Sequence, residues 1–334
     1  MIRNLSEAFG ISGFEYEVRE QIKACLDGCN LEITEDTMGN LSVSAPYKEG
    51  LPTVILSAHM DESGFIITDI TEDGYLKFDI VGTADVNSLL SKRVRFENVK
   101  GVISFKAVHL TTKEEREKPI KVENLLIDIG ADTRADAEKA VSIGDYGVFD
   151  TQYAEFGKNF VKGKALGGRT GVNILVKILK EWQIYDLNLV GLFTVQRYVI
   201  SRGMALASAN IPSCELAIVV DSVDATPQSE PLSLCENGVA ICFSPNISDK
   251  LRKIAESTAL IAKKNNIACQ RVASTEKTDA DRMLDNGANT PVLLLAVPCK
   301  YKNTGVNLIS RSDIDSTEKL INLILRGTED GTFK

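Results

Sequence analysis

The 334 residues hold two histidines, His59 and His109, so any chemistry that needs an imidazole falls on one of them. His59 directly follows the apolar, β-rich run Thr53–Ala58, and Asp61 follows two residues later. In open parallel sheets ligands bind beyond the carboxyl ends of the strands, so chemistry is sought in the residues that follow each apolar run. Three further runs lead to such residues: Leu187–Val195 to Gln196-Arg197-Tyr198, Ala217–Val220 to Asp221, and Leu293–Val297 to Pro298-Cys299-Lys300-Tyr301. If these strands are neighbours, His59, Asp61 and Asp221 converge. A set of this kind can bind zinc or another divalent ion, with one carboxylate holding the imidazole tautomer from behind. The same H-x-D can equally cap a strand end. His109 lies on the alternating stretch Ala107-Val108-His109-Leu110 and reads as structural.

A second candidate is glycine-rich. Gly163-Lys164-Ala165-Leu166-Gly167-Gly168-Arg169-Thr170 has the spacing of a phosphate-binding loop before a helix, with Arg169 where such loops need lysine. An arginine does not replace that lysine, and only the short apolar piece Phe160-Val161 precedes the loop. A nucleotide site is therefore not expected. Free N–H groups at a helix start beside Arg169 would still suit some other anion.

The elements that must position these residues fall into three regions. Val18, Ile22 and Cys25 recur at helical spacing after a Gly10–Gly13 turn, and a strand is expected through Asn40–Ala45 before Thr53–Ala58. From about 68 to 160 the pattern changes to short alternating strands punctuated by turns such as Glu72-Asp73-Gly74 and Gly144-Asp145-Tyr146-Gly147, with one helix near Thr133–Ser142. After Gly163 the α/β rhythm returns, with helices around Val172–Trp182 and Asp249–Asn265 and strands at Leu187–Val195, Glu215–Val220 and Pro291–Val297. Residues 68–160 thus read as a β-rich domain inserted into an α/β domain made of 1–67 and 161–334.

Composition removes several classes. With 44% hydrophobic and 25% charged residues the chain is an ordinary globular protein, and no run approaches the ~18 to 20 apolar residues of a bilayer span. The N-terminus lacks a signal peptide's apolar stretch, so a cytoplasmic location and no membrane partner are expected. A net charge of −8 without a basic cluster argues against nucleic acid. Seven cysteines form no C-x-x-C pair, and their odd number argues against a disulfide framework.

Several segments, in order, resemble the tetrahedral aminopeptidases, metallopeptidase family forty-two, which includes glutamyl and deblocking aminopeptidases and proteins once labelled endoglucanases. Gly10-Ile11-Ser12-Gly13 with Glu15 is similar to the family's opening motif, and Asp36-Thr37-Met38-Gly39-Asn40 to its D-x-x-G-N. Ser57-Ala58-His59-Met60-Asp61-Glu62 with Gly64-Phe65 is similar to its A-H-M-D-E-x-G-F, and Ile127–Ala131, Gly144-Asp145, Thr278-Asp279-Ala280 and Pro298–Tyr301 also fit. The resemblance implies a mixed-sheet, zinc-peptidase-like α/β domain with helices on both faces, interrupted by a β-barrel-like domain. It also implies a homo-oligomer, built from dimers up to a twelve-subunit tetrahedron, with the inserted domain supplying contacts.

The family's chemistry uses two metal ions and a glutamate general base. By resemblance His59 is the first ligand, Asp61 its orienting partner and Asp221 a later aspartate ligand. The segment for the bridging aspartate, L-D-D-R-x-G, reads Leu166-Gly167-Gly168-Arg169-Thr170-Gly171. The Q-E-E segment with the general base reads Gln196-Arg197-Tyr198, and R-Y-x-H reads Lys300-Tyr301-Lys302-Asn303. Gly167, Gly168, Tyr198 and Asn303 are therefore vacated ligand positions, and Arg197 stands at the position of the lost base. The expectation is no metal, or one weakly bound divalent ion such as zinc or cobalt. The chain reads as a non-catalytic family member that binds a peptide or small molecule; the alternative is an active aminopeptidase using one metal on His59 and Asp221. Arg197 is expected to point into the cleft, pair with Asp221 and replace the missing cations, and Arg169 is a candidate anion contact.

Overall fold

The computed structural model describes residues 1–105, 119–211, 213–227, 233–243, 248–286 and 290–329; His109 lies outside them. An eleven-stranded sheet forms the larger part. Its centre is parallel, in the order Asn188–Thr194, Thr53–His59, Leu216–Asp224, Val292–Lys300. Antiparallel strands continue it outward, Leu41–Ser44 and Glu32–Glu35 on one side, Asn307–Ser310, Phe160–Gly163 and Ala154–Phe156 on the other.

The central strands are apolar without alternation because both faces are covered. Val54, Leu56 and Ala58 join the larger core with residues of the helices Leu166–Lys180 and Arg311–Glu329, whereas Ile55 faces the other way toward Met204 and Met283, from the helices Arg202–Asn210 and Asp279–Asp285. Helices thus lie on both faces, as the resemblance implies. No helix among the described residues is long and apolar enough to cross a membrane.

The second unit is a closed six-stranded barrel in the order Gly64–Ile70, Leu76–Val81, Leu125–Asp128, Lys100–Phe105, Arg93–Arg95, Tyr146–Phe149. Phe65 fills its interior, edge-on to Phe78 and Phe149 with ring centroids 5.3 and 4.9 Å away. Gly64 is needed at the entry, because a Cβ there would run into the Gly147 carbonyl oxygen. The strand that straddles the expected boundary at 67/68 belongs whole to the barrel, since its pairing with Leu76–Val81 starts at Gly64↔Val81. Ala154–Phe156, placed in the insert by sequence, pairs instead with Phe160–Gly163 of the large sheet. The helix expected near Thr133–Ser142 is a single turn, Arg134–Ala137, capped by the Thr133 side chain.

Candidate functional site

The strands that carry His59 and Asp221 are parallel neighbours, with Val54–Ser57 in register with Leu216–Val219, so the two residues converge as expected. His59 ends its strand. Asp221 does not: it lies inside Leu216–Asp224, opposite Ala296, because the partner strand runs on through Pro298 and Cys299 and keeps the ladder closed as far as Asp224. Pro298, Cys299 and Lys300 are for the same reason still within a strand, and the turn begins at Tyr301.

Each nitrogen of the buried His59 ring faces a carboxylate. Nδ1 lies 3.1 Å from Asp61 Oδ1, and Nε2 lies 3.5 Å from Asp221 Oδ1. Burial by itself would lower the imidazole pKa, but the bonds to Asp221 and Asp61 outweigh it and hold the pKa up at about 9. Asp61 is held in place by Ser12 Oγ and the Tyr198 backbone N–H, which donate to Oδ2 from 2.5 and 3.0 Å. Asp221 accepts from the Ser222 N–H at Oδ1 and from Arg197 Nη2 at Oδ2, the latter at 3.3 Å. Burial opposes its ionisation, yet the Arg197 guanidinium and His59 keep its carboxyl well below the usual range.

Arg197 points into the cleft, pairs with Asp221, and also donates to Glu276 Oε1 at 3.0 Å. Lys302 arrives from the turn after the strand Val292–Lys300, its Nζ donating to the Ser222 carbonyl at 2.9 Å and to both Glu276 oxygens at 2.9 and 2.8 Å. Three carboxylates (Asp61, Asp221, Glu276) therefore face three cations (His59, Arg197, Lys302). Sequence reasoning missed Lys302 and Glu276. Lys302 stood in the quoted Lys300–Asn303 segment, but Glu276 is 26 residues away in chain and carries no local signal.

The four positions that the resemblance marks as vacated have close neighbours in this site or line the pocket beside it. A Cβ on Gly168 would sit 2.7 Å from His59 Nε2, and one on Gly167 would sit 2.7 Å from Ser222 Oγ. Tyr198 is half-buried and edge-on to His59, centroids 5.6 Å apart, and its phenol pKa is pushed up by desolvation. Asn303 lines a small pocket of about 30 Å³ together with Asp61, Gly167, Tyr198, Lys302 and Asn307.

Arg169 lies elsewhere. Its guanidinium has no exposure and is spent inward, donating to the carbonyls of Leu5 and Gly10 at 3.0 and 3.2 Å and to Glu62 Oε1 at 3.3 Å. Lys164 Nζ shares that same Glu62 oxygen and bonds the Ala8 carbonyl. Burial in this cluster lowers the Lys164 pKa to about 8 despite Glu62. The expectation that Arg169 contacts an anion is thus corrected: the glycines before it begin the helix Leu166–Lys180, and that helix's first turn carries the side chain toward the N-terminal segment rather than into the cleft.

Among the described residues no group of three or more His, Cys, Asp or Glu side chains is arranged to hold a metal ion. A divalent ion between His59 and Asp221 would find two protein ligands, fewer than the three usual in catalytic zinc sites, beside a guanidinium already 3.3 Å from Asp221 Oδ2. The donor set does not fit the family's pair of metals.

The fold and these motifs define a class. The chain belongs to the M42 glutamyl aminopeptidase family, whose model matches residues 39–320. It is 32% identical over 331 residues, 96% of each chain, to a protein of Acetivibrio thermocellus that bears an aminopeptidase name. It is 27% identical to the lysyl aminopeptidase of Pyrococcus furiosus, over 97% of this chain and 96% of that one. Among solved structures, the TET aminopeptidase of Thaumarchaeota archaeon SCGC AB-539-E09 superposes with a TM-score of 0.92 at 26% identity, covering 100% of this chain and 98% of that chain. The TET1 peptidase of Pyrococcus horikoshii, described as assembling into a tetrahedron or a large octahedral shell, matches with a TM-score of 0.84 at 29% identity over 96% and 97% of the two chains.

Proposed function

We propose that this chain is a non-catalytic member of the aminopeptidase family, which keeps the peptidase frame and uses its cleft to bind a ligand rather than to hydrolyse peptides. The observation that carries this reading is the placing of Arg197 Nη2 3.3 Å from Asp221 Oδ2, with Lys302 Nζ 2.9 Å from the carbonyl of the next residue, Ser222. Two cations stand against a retained ligand position, where a metal site needs the acid free. Arg197 also takes the position of the family's general base, and a guanidinium cannot accept the proton of an attacking water. Loss of a positioned base alone costs ~10² to 10⁴ in rate.

The alternative, one metal on His59 and Asp221, would put a cation between Nε2 and Oδ1, now 3.5 Å apart, while the other oxygen of the same carboxylate already takes Arg197. The cleft is nevertheless built rather than decayed. Ala165, Gln196, Ile200, Ser201, Tyr301 and Asn303 around it all hold positive φ, a conformation costly for non-glycine residues and concentrated at functional sites.

Metal analysis and peptidase assays of the purified protein test the reading. The expected result is substoichiometric metal and no hydrolysis of aminoacyl-p-nitroanilides with zinc, cobalt or manganese. Metal-dependent turnover that disappears in His59→Ala overturns it. The relatives' shells support a homo-oligomer here too, with the barrel contributing contacts between subunits. Light scattering is expected to give a multiple of the chain mass, and a single-chain mass at micromolar concentration overturns that part.

A further inference from the structure

Arg197, which follows the strand Asn188–Thr194, and Lys302, which follows the strand Val292–Lys300, are both nine-tenths buried, with side-chain exposures of 9% and 7%, yet they meet on one carboxylate, Glu276, whose side chain is 40% exposed. Burying two strongly solvated cations is expensive unless an anion compensates them. Asp221 compensates one, at 3.3 Å from Arg197. Lys302 has no carboxylate partner other than Glu276 among the contacts of the described residues, its remaining bond going to the Ser222 carbonyl. The acid that completes the charge balance is therefore the one member of the cluster that stands in solvent, on the segment between the strand Cys269–Ala273 and the helix Asp279–Asp285.

The backbone that carries the two cations is itself constrained. Gln196, with φ 53°, precedes Arg197, and Tyr301 and Asn303, with φ 60° and 62°, flank Lys302. Turns strained in this way persist only where the surroundings over-determine them, so the backbone under both side chains is held in place. Glu276 reaches them differently: Oε1 takes Arg197 and Lys302 together, at 3.0 and 2.9 Å, and Oε2 takes Lys302 at 2.8 Å. A free carboxylate could reproduce each of these bonds. Space for a ligand lies on the Arg197 side, where Tyr198 and Thr83 wall a cleft of about 380 Å³; the same two residues wall a pocket of only about 30 Å³ on the Lys302 side.

We propose that Arg197 and Lys302 form a binding site for a small carboxylate ligand, and that Glu276 is its internal occupant, displaced when the ligand enters. The site takes one carboxylate, because the departure of Glu276 removes the carboxylate that Arg197 and Lys302 share. This rests on reading the cleft as a metal-free binding site, and it adds the ligand's chemistry and the residue that competes with it. An internal competitor lowers apparent affinity by the fraction of time it occupies the site, so if Glu276 is bound nine-tenths of the time its removal raises affinity about tenfold.

The test is calorimetric titration of the full-length protein with acetate, at constant ionic strength against chloride, for wild type, Glu276→Ala, Glu276→Gln and the double variant Glu276→Ala/Lys302→Met. Glu276 is on an exposed segment, and both of its variants are expected to fold. Acetate is expected to bind both at least several-fold more tightly than wild type, and the double variant is expected not to bind it. N-acetylalanine and its C-terminal amide separate the two sources of a carboxylate. Tighter binding of the acid than of acetate, with none of the amide, assigns a peptide terminus; equal affinity for the two acids assigns a small free acid. Equal acetate affinity in wild type and both Glu276 variants, or binding that survives in the double variant, overturns the proposal. Zinc measured in the same wild-type sample tells the two readings apart: one or two equivalents of zinc overturn the metal-free reading, whatever acetate does.

Discussion

Gly168 lies against the His59 imidazole so closely that a Cβ at position 168 would stand 2.7 Å from Nε2 and 2.8 Å from Nδ1. The ring cannot retreat, because Asp61 and Asp221 hold it from either side. A glycine-to-alanine change inside a helix ordinarily stabilises by about 0.5 to 1 kcal/mol. At 168 overpacking, typically about 1 to 3 kcal/mol, outweighs that gain. Gly168→Ala is therefore expected to melt below wild type. Gly167→Ala, which meets only the Ser222 hydroxyl at 2.7 Å, is expected to melt at or above wild type, since that group can rotate away. Equal melting temperatures for the two variants would contradict this.

Arg197→Met is expected to leave Asp221 buried beside a single remaining ion partner, His59, at a cost of about 3 to 5 kcal/mol. Without the guanidinium, Asp221 and His59 become available to a metal, so added zinc is expected to restore part of the lost melting temperature. No change in melting temperature without metal would show that Arg197 is not the internal cation.

For Arg169→Lys, a single ammonium replaces a fork that spans the Leu5 carbonyl, the Gly10 carbonyl and Glu62. One ammonium cannot hold all three, and a hydrogen bond to a charged group is worth roughly 1.5 to 3 kcal/mol. The variant is expected to unfold at lower denaturant and to be cleaved faster by protease near Leu5–Gly10. An unchanged denaturation midpoint would refute the clasp.

Glu15 supplies the pH dependence. Burial raises its pKa from 4.5 to about 7, with Asp61 adding to the shift and the N–H groups of Gly13 and Gln196 opposing it; Arg19 stands 4.0 Å from its other oxygen. The folded state therefore holds a proton that the unfolded chain has already lost between pH 4.5 and 7. Stability falls as pH rises through that window and levels off above it. Glu15→Gln keeps the acceptor oxygen and removes the charge. Between pH 5 and 8 wild type is expected to lose roughly 2 to 3 kcal/mol relative to this variant, at about 1.4 kcal/mol per pKa unit. Parallel stability curves for the two proteins over that range would refute the assignment.

The parallel core was legible because a strand buried on both faces reads as an uninterrupted apolar run, and Thr53–Ala58 and Leu187–Val195 are such runs. From neighbouring strands follow the meeting of His59, Asp61 and Asp221 and the inward turn of Arg197 toward Asp221. The insert was legible as a change to short alternating strands, though its edges were not: only their pairing partners assign Gly64–Ile70 to the barrel and Ala154–Phe156 to the large sheet.

By itself, then, the amino-acid sequence determined the frame, the residues at the sheet's carboxyl edge and the absence of acids at 167, 168, 197 and 198. Tertiary structure decided where the other charges go. Arg169 follows a glycine-rich loop and turns inward because Leu5, Gly10 and Glu62 provide acceptors there, while Glu276 meets Arg197 and Lys302 across 79 and 26 residues of chain. Apolar patterning is a local property, set by which face of each strand or helix is covered. The destination of a charged side chain is set instead by the partners that can compensate its loss of water, and here those partners come from segments far apart in the sequence.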